Sequence, residues 1–252
     1  MTEAEHESAK LPPALASALI EVERWVVMTG SGVSAESGVP TFRDAQTGLW
    51  AQYDPLELAT PAAFENDPEV VWQWYQWRRE LISNTVPNAA HSALAELQQL
   101  KPELTLVTQN VDGLHQRAGS TDVLEFHGSL RRNKCFRCER PGPESTDAYP
   151  PDCAACGGLL RPAVVWFGEA IPAAALQAAA GAVDECDAFF SVGTSSLVYP
   201  AAALAEAALG RQALVVEINP NPTPLSGRAD FALQGSAALW LPVIADSLRG
   251  TA

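Results

Sequence analysis

Four cysteines lead the residues whose types and spacing can do chemistry. Cys135 and Cys138 form one C-x-x-C pair, Cys153 and Cys156 form a second, and fourteen residues lie between the pairs. That spacing predicts a tetrahedral four-cysteine zinc site, with redox cysteines as the competing reading. Four thiolates leave no open coordination position, so such a metal is expected to be structural. The fifth cysteine, Cys186, reads as a small buried apolar residue.

A second chemical stretch begins at Trp25, where an apolar, partly β-branched run ends in Thr29, Gly30, Ser31 and Gly32. Two glycines one residue apart permit a tight turn and close approach of the backbone to a ligand. A helix starting between Val33 and Glu36 would point its positive end at the same place, which suits a pyrophosphate. An ordinary strand, turn and helix with no ligand fits these residues as well. Gln109, Asn110 and Asp112 follow the apolar run 104–108, and the choice is between the ligand crevice of an α/β sheet and a polar turn. His127 ends the run 123–129 beside Gly128, where a histidine serves as a general base or as a satisfied structural group. Tyr75 and Arg78 lie three apart in the aromatic run VVWQWYQWRR and share a helical face. They read as an anion grip or a structural anchor, and periodicity alone favours the anchor. His91 reads as a packing residue.

The elements that must position these groups follow from periodicity. Helices are predicted over 11–24, 61–83, 88–100 with Asn88 as N-cap, 173–182 and 199–209. Strands are predicted over 25–28, 104–108, 163–167, 188–192 and 213–218. Residues 44–57 read as a loop able to move over a ligand. Strand–helix alternation predicts an α/β protein with a doubly wound parallel sheet, interrupted by a zinc ribbon over 131–161. The turns at Gly30 and Gly193 would face one edge of that sheet and form a single dinucleotide crevice.

With 252 residues, 47% of them apolar, the chain is long enough for one large domain or a large and a small one. A formal net charge of −14 opposes non-specific binding to nucleic acid and is compatible with basic, lysine-bearing partners. No apolar run is long enough to span a membrane. The acidic, polar start MTEAEHESAK does not read as a secretory signal, so an intracellular, cytoplasmic protein is expected, with residues 1–10 frayed.

Seven segments together resemble the sirtuins, NAD-dependent protein lysine deacylases, in order and over nearly the whole chain. They are TGSGVSAESGVPTFR (29–43), TQNVDGLHQRAG (108–119), FHGS (126–129), the paired C-x-x-C motifs, VVWFGE (164–169), VGTSSLVYPAA (192–202) and IN (218–219). The resemblance implies a Rossmann-like NAD-binding domain built from 11–43, 88–130 and 162–252, and a small domain built from 44–87 and 131–161. It implies that Gly30, Ser31 and Gly32 hold the pyrophosphate, with Arg43 nearby. Gly193, Thr194, Ser195 and Asn219 would hold the adenosine side, with the backbone near Ala237 at the adenine. Asn110 and Asp112 would form the nicotinamide pocket, and Gln109 would contact the nicotinamide ribose.

By the same analogy the acyl oxygen of a modified lysine attacks C1′ of that ribose and expels nicotinamide. His127 then acts as general base on a ribose hydroxyl, and water completes release of lysine and O-acyl-ADP-ribose. The backbone from Val165 through Phe167 and Gly168 to Glu169 would pair with the substrate peptide. Tyr75, Arg78 and small Ala59 resemble the branch that removes succinyl and malonyl groups, with acetyl removal able to coexist. Two positions depart from the family pattern: Ser31 stands where alanine is usual, and Ala163 where histidine is usual among the nearest relatives.

Rival readings are a plain deacetylase, an ADP-ribosyltransferase on the same scaffold, and a non-enzymatic module whose ribbon binds nucleic acid. The last would use Arg131, Arg132, Lys134, Arg137 and Arg140, against the overall negative charge.

Overall fold

The computed structural model describes residues 9–40, 53–145 and 147–249. The expected frayed N-terminus, Arg43 and most of the loop 44–57 lie outside the described residues. Six strands are β1 (Trp25–Thr29), β2 (Thr105–Thr108), β3 (Leu124–Glu125), β7 (Ala188–Val192), β8 (Leu214–Asn219) and β9 (Phe231–Gln234). They form one parallel sheet in the order β3-β2-β1-β7-β8-β9. Every residue of β1 and β7 is buried, because helices cover both faces of a parallel sheet.

Side-chain alternation along β1 divides the core. Trp25 and Val27 face the layer of α1 (Pro13–Glu21), α6 (Ala89–Leu100) and α10 (Ala237–Arg249). Val26 and Met28 face the layer of α8 (Ala173–Glu185) and α9 (Ala201–Gly210). The strand order reverses between β1 and β7, so a crevice opens at their carboxyl ends. The short α2 (Ser31–Ala35) follows β1 there, and α7 (Leu114–Arg117) follows β2.

Three further strands, β4 (Gly128–Cys135), β5 (Pro141–Gly142) and β6 (Leu160–Val164), form an antiparallel sheet in the order β5-β4-β6. This corrects the strand predicted over 163–167. Ala163 and Val164 end β6 of the small sheet, paired with Ser129 and Gly128, and residues 165–169 lie outside any strand. A short apolar run does not reveal by periodicity which sheet it will join. Gly128 is required at the crossing: its φ is +79°, and a Cβ would sit 2.1 Å from the Ala163 carbonyl oxygen.

The predicted helical stretch 61–83 is two helices, α4 (Pro61–Asn66) and α5 (Pro68–Ser83), after a turn of helix α3 (Pro55–Leu58). Each break has a local cause. Thr60 Oγ1 accepts the Ala63 N–H at 3.1 Å, Asp67 Oδ1 accepts the Val70 N–H at 3.0 Å, and a proline opens each helix. α5 packs Val71, Trp74, Tyr75 and Ile82 in one apolar cluster with Leu130 and Val164 of the small sheet, and adds polar contacts to it. Trp72 Nε1 donates to Asp147 O at 2.8 Å, Gln76 Nε2 to Ser145 O at 2.6 Å, and Arg79 Nε to Leu130 O at 2.8 Å. Among the described residues no helix is long and apolar enough to cross a membrane. β9 and α10 have no counterpart in the sequence expectations.

Candidate active site

The crevice is a cleft of about 670 Å³ between the two sheets. It is lined by Gly30, Ser31, Gly32, Gln109, Asn110, Asp112, His127, Gly193, Thr194, Ser195 and Asn219 from the sheet edge, and by Ala59, Tyr75, Arg78, Val165, Phe167, Gly168 and Glu169 from the opposite wall. Ala237 is buried at the start of α10, and its neighbour Ser236 lines the cleft in its place.

The two glycine turns are locked together. Gly30 N–H donates to Val192 O and Gly32 N–H to Gly193 O, each at 2.9 Å. A Cβ on Gly30 would lie 2.8 Å from Gly193 O, and one on Gly32 2.8 Å from Gly193 Cα. These glycines are therefore needed for loop-on-loop packing, and their own N–H groups are spent inside the protein. Exposed Ser31, the first residue of α2, is the part of the turn turned to solvent.

A chain of buried polar groups supports the floor. Ser34 Oγ donates to Asp112 Oδ2 at 2.8 Å, and Asp112 Oδ1 accepts the Leu114 N–H at 2.9 Å. Asn110 Nδ2 donates to Gly30 O at 3.0 Å and to Ser34 Oγ at 3.1 Å. Gln109 Nε2 donates to Thr194 Oγ1 at 3.0 Å, and Asn219 Nδ2 to Thr194 O at 2.8 Å. The amides thus tie β1, β2, β7 and β8 into one frame. Ser34 is the hub that the sequence reading missed, since a serine inside a glycine-rich stretch carries no periodic signal. His91 does pack, fully buried, but it also closes a reciprocal cap with Asn88 and brings Nε2 within 3.4 Å of Ser34 Oγ.

His127 lies between β3 and β4, where the chain passes from the large sheet to the small one. Its Nδ1 is 3.1 Å from Gln109 O. A carbonyl only accepts, so Nδ1 carries the proton and Nε2 is left with its lone pair. Burial lowers the pKa of His127, against the opposing pull of the Gln109 carbonyl, so the ring is neutral at pH 7.

On the opposite wall Tyr75 is buried, and its hydroxyl accepts the Trp166 indole N–H at 2.9 Å. Burial pushes Tyr75 up to about 12, so it keeps its proton for donation. The Arg78 guanidinium lies 5.0 Å over the Trp74 ring; burial lowers its pKa, and Tyr75 and Asp112 partly offset that. The loop carrying Trp166 is fastened by Arg161, fully buried, whose Nη1 meets Glu169 at 2.5 Å. Val165 N–H donates to His127 O and Phe167 N–H to Ala59 O, both at 2.9 Å, which joins this loop to His127 and to the Ala59 side of the cleft.

The four sulfurs of Cys135, Cys138, Cys153 and Cys156 lie within 4.8 Å of one another. Two backbone N–H groups, of Arg137 and Cys138, point at Cys135 Sγ from 3.4 Å. The closed four-thiol set fits one structural zinc.

The sequence pattern of the Sir2 family matches residues 30–200. The NAD-dependent protein deacylase of Ralstonia nicotianae is 52% identical over 237 residues, covering 92% of this chain and 95% of the relative. The NAD-dependent protein deacylase 1 of Pseudomonas aeruginosa is 50% identical over 239 residues, covering 91% and 96%. The crystal structure of a Sir2 homologue in complex with NAD superposes with a TM-score of 0.90 at 44% identity, covering 96% of each chain. A Sir2 protein bound to a deacetylated p53 peptide and 3′-O-acetyl ADP-ribose superposes with a TM-score of 0.79 at 30% identity, covering 92% and 96%.

Proposed function

The chain belongs to the Sir2 family, and we propose from that premise that it removes acidic acyl groups, succinyl and malonyl, from protein lysines. It is an NAD-dependent protein deacylase with one structural zinc, and acyl-lysine proteins or peptides are its substrates. We assign NAD binding to the segments 11–43, 88–130 and 162–252 and the acyl pocket and metal to 44–87 and 131–161, except that 128–130 and 162–164 go with the second group, since they pair in the small sheet.

NAD, when bound, would supply the ribose that takes the acyl group on a hydroxyl oxygen, with nicotinamide as leaving group and O-acyl-ADP-ribose as product. Ser31 presents its N–H and hydroxyl to the pyrophosphate, while Gly30 and Gly32 let the two turns close beneath it. Asn110 and Asp112 hold the nicotinamide, Gln109 its ribose, and Gly193, Thr194, Ser195 and Asn219 the adenosine side, with adenine near Ala237. His127 takes a ribose hydroxyl proton on Nε2, its tautomer fixed by Gln109 O. The backbone from Val165 to Glu169 orients the peptide, and Phe167 and Gly168 enclose the lysine stem.

The acidic preference rests on one observation: Tyr75, Arg78 and Ala59 line the same cleft as His127. A protonated phenol and a forked cation match an acyl carboxylate, and a small Ala59 leaves room for it. The test compares kcat/KM on one peptide carrying succinyl-lysine or acetyl-lysine, in wild type and Arg78→Met. Preference for succinyl that collapses selectively in the variant supports the reading. Preference for acetyl, with both substrates affected alike, makes the protein a plain deacetylase. Transfer of label from NAD to protein without any acyl group would favour an ADP-ribosyltransferase.

A further inference from the structure

Glu217 stands in β8 two residues before Asn219 and is 2% exposed. Its neighbours Val216 and Ile218 face one helical layer, and Val215 faces the other. By alternation Glu217 shares the side of Val215, where Leu225 and the alanines of α9 make an apolar layer. A carboxylate there is costly unless its lone pairs are used.

Its two partners are neutral hydroxyls: Thr223 Oγ1 donates to Oε1, and Ser226 Oγ donates to Oε2. Among the described residues no salt bridge reaches it. Each hydroxyl also accepts from the backbone. Ser226 Oγ takes the Thr223 N–H at 2.8 Å, and Thr223 Oγ1 takes the Leu225 N–H at 3.1 Å. The turn 223–226 is wound around this carboxylate.

The segment held by that turn is a wall of the cleft, which residues 219–224 line without a break. Pro220, Pro222 and Pro224 alternate along it, and proline has no N–H to anchor backbone to backbone. The wall is held mainly at its two ends, Asn219 by Thr194 and Gly235 and Thr223 with Ser226 by Glu217, with one long bond between them from Gln234 Nε2 to Pro220 O at 3.4 Å.

We propose that Glu217 is a positioning residue for the co-substrate, fixing the wall 219–224 against which the adenosine half of NAD is seated. This rests on the reading above that the Asn219 edge takes the adenosine. Glu217→Gln keeps the shape and removes the charge. Ser226→Ala removes one donor from a residue outside the cleft lining, so its effect cannot come from a lost contact to NAD.

The test measures the Kd for NAD of the full-length protein by calorimetry, with KM for NAD and for acyl peptide, and uses Asn219→Ala as reference. Circular dichroism and zinc content establish that each variant is folded. The expected result is an NAD affinity weaker by roughly tenfold in Glu217→Gln and roughly threefold in Ser226→Ala. KM for the peptide and kcat at saturating NAD stay near wild type. Wild-type NAD affinity in both variants, with Asn219→Ala weakened, overturns the proposal and makes Glu217 a purely structural group. If Asn219→Ala also binds NAD normally, the adenosine reading of this edge fails and takes the proposal with it. Should Glu217→Gln not fold, Ser226→Ala decides alone.

Discussion

Around β1 and β7, Trp25, Val27, Phe190 and Val192 are packed among the leucines of α1, α6 and α10, and Val26, Met28 and Phe189 among residues of α8 and α9. Around the cysteines, the buried cluster among the described residues is Cys135, Cys153 and Leu160, with Cys138 and Cys156 against it. The first region draws on many side chains, each worth about 1.5–3 kcal/mol when buried. The second has too few to order the cysteine end, which depends on its metal, while the rest of the small sheet rests Leu130, Phe136, Leu159 and Val164 on the aromatic cluster of α4 and α5. One molecule thus joins regions stabilised by area to one stabilised by coordination, with His127 where the two sheets meet.

Stripping zinc should separate the two regions most widely. Structural zinc sites carry about 10–16 kcal/mol of binding free energy, which here is folding free energy of the ribbon. A chelator should remove hydrogen-exchange protection at the cysteine end, residues 135–159, while β1 and β7 stay protected; protection kept throughout would show that the ribbon has a sufficient core of its own. From the other side, Phe190→Ala deletes a ring stacked on Trp25 at 4.7 Å and should cost about 3–5 kcal/mol in urea unfolding, with the zinc still bound in the native state.

At the joint, His127→Ala should reduce turnover by roughly 10²–10⁴-fold with melting temperature and NAD affinity little changed. Because the active ring is neutral and burial lowers its pKa, the acid limb of kcat/KM should have its midpoint below about 6.5. A midpoint above that value would mean the base is not buried as described.

A smaller effect distinguishes the large sheet by its response to acid. Burial, with a lesser push from His91, holds His115 down at about 3. The unfolded chain takes a proton near pH 6.5 that the folded chain refuses, so this contribution is complete above pH 6.5. It is lost at up to about 1.4 kcal/mol per pH unit as the pH falls toward 3. Urea midpoints at pH 7 and pH 5 should therefore converge in His115→Gln, and an unchanged gap would assign the acid sensitivity elsewhere.

Most strands and helices of the main sheet, β9 and α10 excepted, are legible because their apolar runs are long and bounded by Gly, Pro or Asn. The cysteine spacing was legible because coordination geometry restricts it. What stayed hidden was tertiary. Ala163 and Val164 read as main-sheet strand until β4 claimed them. Ser34, Trp166 and Arg161 act through partners 57 or more, 91 and 8 residues away, and no local pattern marks such pairs. Glu217 looked like an ordinary strand residue, since only its burial and its two hydroxyl partners set it apart.

The strand order also matters at the ribosome. β1 pairs on one side with β2, and on the other with β7, whose residues follow some 160 positions later: Trp25 meets Ala188. At about 5–20 residues per second, an emerging chain carries β1 with one open apolar edge for on the order of ten seconds. Throughout that interval Gly30 and Gly32 lack the turn at Gly193 that closes against them. The nascent half-sheet is then an invitation to foreign strands, and a cell making this protein must shelter it until the second half arrives.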